Sequence, residues 1–313
     1  MALITRDKVA KLAWVTLAWN VIVILWGAVV RASRSGNGCG EHWPLCGGHL
    51  IPTFRAIATL IEFLHRATTG VDAILLVALA VGIFKVFPAG HPARKAMMAS
   101  LFFTFTEAFL GAVLVMYHLV DRVATDARVI AEATHLTNTL LLSAAVTITA
   151  WFTGGGPKPD LSAGKKYVAP AAAALAAALL LCVSGGIAAL ADVIYPPKTL
   201  ADALRQDISG ASPIMIHLRV WHPIAAVVAI VVIVLSTRAI IRLDPSPDTV
   251  RFAGWCQALC LLEFCAGLLN VVILAPIWMQ VVHLLLADLL WISLVLMTSA
   301  ALARRKSSVE KFG

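Results

Sequence analysis

The sequence predicts an all-α integral membrane protein. It predicts eight transmembrane helices, arranged as two tandem four-helix bundles related by a pseudo-two-fold axis along the membrane normal. Three observations carry that expectation. Hydrophobic residues make up 60% of the 313 and charged residues 13%, against about 25% charged in a soluble domain. Mean hydropathy is +0.88 over the whole length, and eight apolar stretches reach the roughly 20 residues that a helix needs to cross a bilayer. Polar residues of the first four stretches recur at matched places in the last four.

Taken in order, span 1 covers 12–31 and follows Arg6, Lys8 and Lys11. Its basic start resembles a signal sequence. A cleavable apolar core is only about 7–15 residues and ends in a small-residue cleavage site, which does not follow here, so the span reads as retained. Span 2 (58–86) carries Glu62-x-x-His65-Arg66, span 3 (96–118) carries Glu107 and Gly111, and span 4 (130–152) carries His135. The stretch 153–166, polar and rich in glycine and proline, is the natural seam. Residues 1–152 and 167–313 then form the two halves. Span 5 covers 167–191. Span 6 (213–236) carries Arg219-x-x-His222-Pro223, span 7 (251–275) carries Glu263 and Gly267, and span 8 (277–303) carries His283. Pro276 marks the turn between the last two. Pro223 predicts a kink if span 6 starts near Pro213, because its ring clashes with the carbonyl of Arg219; alternatively, the helix proper starts later.

Basic clusters flag the cytoplasmic side. Arg6, Lys8 and Lys11, then Lys85, Arg94 and Lys95, then Lys158, Lys165 and Lys166, then Arg238, Arg242 and Arg251, and finally Arg304, Arg305 and Lys306 all fall on one side of the eight-span arrangement. Both termini are therefore expected in the cytoplasm, in a plasma membrane of prokaryotic type. The +8 net charge reads as topology, and nucleic acid is not an expected partner. Each half holds an even number of spans, so a tandem copy keeps its orientation and gives a parallel repeat.

His65, His135, His222 and His283 lie near the starts of the even-numbered spans. His65 and His222 are 157 residues apart, and His135 and His283 are 148 apart. Ionisable side chains inside a membrane are costly and mark functional sites. Paired histidines on neighbouring helices suit the axial positions of a haem iron. Keeping each site within one half pairs His65 with His135, and His222 with His283, all in the outer half of the membrane. The bland alternative is histidines hydrogen-bonded between helices, which four matched positions disfavour. His217 rivals His222 but sits five residues earlier, about 140° away around the axis.

Glu62 lies one turn before His65 on the same face. A carboxyl beside a haem edge accepts a proton or steadies positive charge there; the alternative is a glutamate favoured by the helix dipole. Arg219 occupies the matched place in the second half, which suggests that the first half reacts and the second only binds. Glu107 and Glu263, taken to lie further towards the cytoplasm, receive no role. Cys39 and Cys46, seven positions apart on an oxidising face, suit a disulfide, either a loop staple or a dithiol that exchanges with a redox partner. Cys182, Cys256, Cys260 and Cys265 read as buried, inert thiols. Arg31, Arg34 and Arg66 cluster at the outer ends of spans 1 and 2. They suit haem propionates, or ordinary interfacial anchoring.

Several of these pieces match one family. Gly27-x-x-Val30-Arg31-x-Ser33-x-Ser35-Gly36, then Cys39 to Trp43-Pro44-Leu45-Cys46, then Ile51-Pro52-Thr53, then Glu62-x-x-His65-Arg66 resemble haem A synthase, and the likeness runs over nearly the whole chain. The resemblance implies oxidation of the C8 methyl of haem O to the formyl of haem A, for terminal oxidases. It implies haem O between His65 and His135, Glu62 as the catalytic carboxylate and a resident haem b between His222 and His283, so that iron is held only through haem. Cys39 and Cys46 look like the family's redox-relevant pair. The implied partners are a haem O synthase as supplier, terminal-oxidase assembly, membrane lipid and an electron acceptor. Two features depart from the pattern. Span 6 usually carries His-Arg where this chain has His222-Pro223, which keeps His217 open as a ligand. The outer cysteine pair that some members carry between spans 5 and 6 has no counterpart in 192–212. Two other readings compete: a membrane b-type cytochrome that only carries electrons, and a membrane thiol–disulfide redox protein.

Overall fold

A computed structural model describes residues 4–160 and 165–303. Among these, nine α-helices follow one another: α1 (Arg6–Ala32), α2 (Ile57–Val86), α3 (Pro92–Met116), α4 (Asp126–Thr153), α5 (Lys165–Ile194), α6 (Leu200–Ile208), α7 (Ile214–Leu243), α8 (Pro247–Val272) and α9 (Ile277–Ala301). All but α6 are long and apolar enough to span a membrane, in agreement with the eight predicted spans. Arg304, Arg305 and Lys306, and residues 161–164 of the seam, lie outside the described residues.

Local chemistry sets several helix starts. Side-chain oxygens of Thr5, Thr125, Thr199 and Ser246 cap α1, α4, α6 and α8 by accepting backbone N–H bonds, as N-cap residues do. His91 caps α3 through Nδ1. Pro92 and Pro247 open α3 and α8, where a missing N–H costs nothing. Pro276 is the N-cap of α9, so the turn expected between the last two spans is present.

Three helices end in the same way. Ser35 N bonds Val30 O, Leu119 N bonds Leu114 O and Ala275 N bonds Asn270 O. Before each of these donors stands a residue at positive φ: Arg34 (58°), His118 (55°) and Leu274 (61°). This is the Schellman closure, here without glycine. It ends α1, α3 and α8 sharply and turns the chain straight back.

One expectation fails, and one open choice is decided. The connection 192–212, read as a loop, contains α6. That helix is short, polar on one side, and carries Leu200, Leu204 and Ile208 along the other, all exposed. Its nine residues fall below the window in which an amphipathic period stands out. Second, α7 is one helix from Ile214 to Leu243 with Pro213 as its N-cap and Pro223 inside it, so span 6 starts near Pro213 as first read, and the later start is excluded.

Packing follows the membrane rule that small residues let helices approach. Ala13, Ala93, Ala174 and Ala253 are fully buried, and a Cβ on Gly82 would stand 3.1 Å from Val9. Helix α1 packs on α2, α3 on α4, α5 on α7 and α8 on α9, while α4 and α1 meet α9 and α4 meets α5. The centre of the molecule is thus built on α4 and α9. There the buried Trp291 donates its Nε1–H to the carbonyl of Leu140 at 2.8 Å. Helices α3 and α8 lie outermost and expose Phe102, Phe105, Phe109, Leu261 and Leu268.

Candidate functional site

Each of the four histidines sits within the first three turns of α2, α4, α7 or α9 and lays its ring against a glycine of a neighbouring helix. A Cβ at Gly27 would stand 3.2 Å from His65 Cε1. At Gly111 it would stand 3.9 Å from His135 Cε1, at Gly185 2.9 Å from His222 Cε1, and at Gly267 3.2 Å from His283 Cε1. Gly27 and Gly185 are 158 positions apart, and Gly111 and Gly267 are 156 apart, the same spacing that relates the helices bearing them. At Gly27, Gly185 and Gly267 the absence of a side chain is what lets the imidazole fit, whereas at Gly111 a Cβ would make only ordinary contact.

The second pair meets directly. The rings of His222 and His283 have centroids 6.4 Å apart and planes at 73°. Two imidazoles on opposite sides of one metal need bonds of about 2 Å each plus ~1 Å from nitrogen to ring centre, so their centroids fall roughly 6 Å apart. The donor set and spacing fit a bis-histidine haem iron. His217 is half-buried on the same helix, whereas Ser184, Gly185 and His283 all contact His222. In the first half, His65 and His135 are near enough to interact electrostatically.

The nitrogens that would face away from a metal are the more informative ones. Ser184 Oγ lies 3.0 Å from His222 Nδ1. Glu263 Oε2 lies 3.0 Å from His283 Nδ1, and Glu107 Oε1 lies 3.4 Å from His135 Nδ1. Of these contacts only Ser184–His222 has hydrogen-bond geometry; His135 Nδ1 and His283 Nδ1 meet their glutamates as ion-pair contacts, and His65 Nδ1 is buried with neither among the described residues. A carboxylate or hydroxyl beside the second nitrogen is the arrangement that orients metal-binding histidines, and three of the four have one within 3.4 Å. Sequence reasoning gave Glu107 and Glu263 no role and placed them too deep. A signal was available: the two glutamates are 156 positions apart, each four residues before its glycine.

Glu62 is buried, 3% exposed, and points at the connection between α1 and α2. Its Oε2 accepts the backbone N–H of Cys39 at 2.7 Å, and its Oε1 accepts from Arg66 Nε at 3.1 Å and Nη2 at 2.5 Å. Arg66 Nη1 donates to the carbonyls of His42 at 2.6 Å and Leu45 at 2.5 Å. Cys39 and Cys46 are joined, with Cα atoms 4.4 Å apart, so the expected pairing is present. Glu62 and Arg66 thereby fasten the disulfide loop to the helix of His65. Arg219 does a parallel job with opposite charge. It pairs with Asp192 of α5 at 2.9 Å and Asp207 of α6 at 2.5 Å, fastening α6 to the helix of His222.

The arginines expected at propionates are mostly committed to protein partners. Arg66 serves Glu62 and the loop, and Arg31 pairs with Glu132 at 3.2 Å. Arg34 stands in the turn that closes α1, without a side-chain partner among the described residues. One cysteine expectation also changes. Cys256 and Cys260 are buried, but Cys265 is exposed.

Comparison with known proteins adds to this geometry. The family model COX15-CtaA, described as cytochrome oxidase assembly protein, matches residues 10–295. A Thermus thermophilus protein named protoheme IX farnesyltransferase is 40% identical over 305 residues, covering 97% of this chain and 50% of that protein. Proteins named heme A synthase from Exiguobacterium sibiricum and Bacillus pumilus are each 38% identical, over 103 and 107 residues. Those stretches cover 33% and 34% of this chain, and 35% and 34% of the two relatives. The chain spans about half the length of the Thermus relative that it matches nearly end to end.

Proposed function

The chain belongs to the COX15-CtaA family of cytochrome oxidase assembly proteins, and we propose that it is a haem A synthase. In this reading it oxidises the C8 methyl of haem O to a formyl group. The observation that carries the reading is the four histidines, each seated on a glycine in two matched pairs. The change replaces two hydrogens of the methyl by one oxygen, which with water as the formal oxygen source releases four protons and four electrons. Residues 1–152 would bind the substrate and residues 167–313 a resident haem b.

His65 and His135 would hold the iron of the substrate haem, and His222 and His283 that of haem b, which supplies one-electron transfer when bound. Glu62 would receive a proton released at the substrate edge through Oε1 or Oε2, with Arg66 and the Cys39 N–H keeping that carboxylate in place. The disulfide loop would cover the substrate and exclude water. Arg34, in the turn beside the site, would meet a propionate. Both sites would face the outer side, with both termini in the cytoplasm.

The Thermus relative joins a stretch similar to this chain to as much sequence again, under the name of a farnesyltransferase. Farnesylation of protohaem makes the substrate proposed here. We assign that reaction to the part of the relative outside the match, and a separate haem O synthase becomes the partner expected for this chain.

The division of labour is testable with single variants purified from cells that make haem O. His283→Ala should lose haem b and keep the farnesylated haem, and His65→Ala should do the reverse. His217→Ala should keep both pigments. Loss of haem b from His65→Ala, or from His217→Ala but not His222→Ala, would reverse the assignment.

A further inference from the structure

We infer that Glu263, acting through His283, is a positioning residue that sets the second half's iron at a lower reduction potential than the first half's. This rests on the haem ligands proposed above. Glu107 and Glu263 occupy matched positions on α3 and α8, and each approaches the Nδ1 of its half's second histidine. A carboxylate there draws the ring proton towards itself and makes the imidazole a stronger electron donor to its metal. A stronger donor favours ferric iron over ferrous and lowers the potential.

The two carboxylates are not equally free to do this. Glu107 is shared. Asn138 Nδ2 donates to its Oε2 at 2.6 Å, and Thr139 Oγ1 donates to its Oε1. Thr106 Oγ1 in turn donates to Asn138 Oδ1 at 2.7 Å and holds that amide in place. These donors spread the negative charge away from His135, which lies at the longer distance of 3.4 Å.

In the second half every one of these donors is gone. The positions matching Asn138 and Thr139, counted from His135 and His283, are Leu286 and Ala287. The position matching Thr106, counted from the glutamates, is Leu262. Glu263 Oε2 lies 3.0 Å from His283 Nδ1 as an ion-pair contact, and among the described residues no side chain or backbone group donates a hydrogen bond to that oxygen. The chain has thus kept the glutamate in both halves and kept the groups that quench it in only one.

The test is a redox titration of the haem-loaded protein, following the His283-dependent absorbance. Glu263→Gln keeps an acceptor for Nδ1 but removes the charge. It should leave a low-spin bis-histidine spectrum and reduce the ferric preference at least tenfold, which raises the midpoint by about 59 mV for one electron. Ala287→Thr, which installs the hydroxyl that Thr139 supplies in the first half, should raise it by a smaller amount. Glu107→Gln should shift the first site's midpoint less than Glu263→Gln shifts the second. An unchanged midpoint in both Glu263→Gln and Ala287→Thr, with the spectrum intact, overturns the inference while leaving the ligands standing. If His283→Ala leaves the spectrum unaltered, the ligand assignment itself has failed, and this inference with it.

Discussion

Replacing Gly185 by alanine tests the seating of the histidines most sharply. The new Cβ would stand 2.9 Å from His222 Cε1, where carbon atoms prefer about 3.5–4.0 Å. The ring must therefore yield by about 0.6 Å or more. It cannot swing freely, because Nδ1 is held at 3.0 Å by Ser184, whose hydroxyl also donates to the carbonyl of Leu181 at 2.8 Å. Metal–ligand distances tolerate only about ±0.2 Å. The loss of haem affinity at this site should then be on the order of 10–100-fold, as when groups that support a ligand are removed. Helix propensity acts the other way, since alanine is favoured over glycine by about 1 kcal/mol. The assay is haem content per protein and the low-spin spectrum across four variants. Gly111→Ala, at 3.9 Å from its histidine, should be nearly silent. Gly27→Ala and Gly267→Ala, both at 3.2 Å, should fall between. Equal effects at all four positions, or a larger loss at Gly111 than at Gly185, would refute the reasoning.

Three further outcomes follow from particular contacts. Arg66→Lys should loosen the disulfide loop, because one ammonium cannot replace a guanidinium that bonds Glu62 and two carbonyls at once; reduction of Cys39–Cys46 by a soluble thiol should speed up several-fold, and an unchanged rate would count against the clasp. Trp291→Phe removes the buried bond to Leu140 that ties α9 to α4 and should cost about 0.5–1.5 kcal/mol in detergent unfolding. Burial, with Lys158 and then Arg6 nearby, holds His91 below the ordinary imidazole pKa, so the unfolded chain binds more protons than the folded one as pH falls through that ordinary value. Its contribution to stability is present above that value and is lost as pH falls through the lowered folded pKa, and His91→Asn should flatten this slope in unfolding measured across pH 5 to 7.

The membrane fold was legible because its signal is coarse. Eight apolar runs of sufficient length leave few alternatives once water is absent, and Pro276 falls where a turn belongs. The histidines were legible because ionisable groups are conspicuous against such a background. Helix α6 was not, since nine residues carry too little period to separate a helix from a polar loop. The duties of Glu107 and Glu263 were hidden for a different reason. Their depth was judged from position along their own helices, whereas their partners are on other helices and are fixed by tertiary packing. Arg66 shows the same limit. It lies near the start of α2, but a chain-neighbour carboxylate and two loop carbonyls claim its donors before any propionate.

The central claim is the chemistry at the first histidine pair, and the pigment itself reports on it most directly. Cells would express this chain with and without a haem O synthase, and the extracted haems would be identified by chromatography and mass. The account predicts a product one oxygen heavier and two hydrogens lighter than haem O, formed only when both proteins are present and lost in Glu62→Ala. Haem O recovered unchanged beside a fully haem-loaded wild-type chain would contradict it.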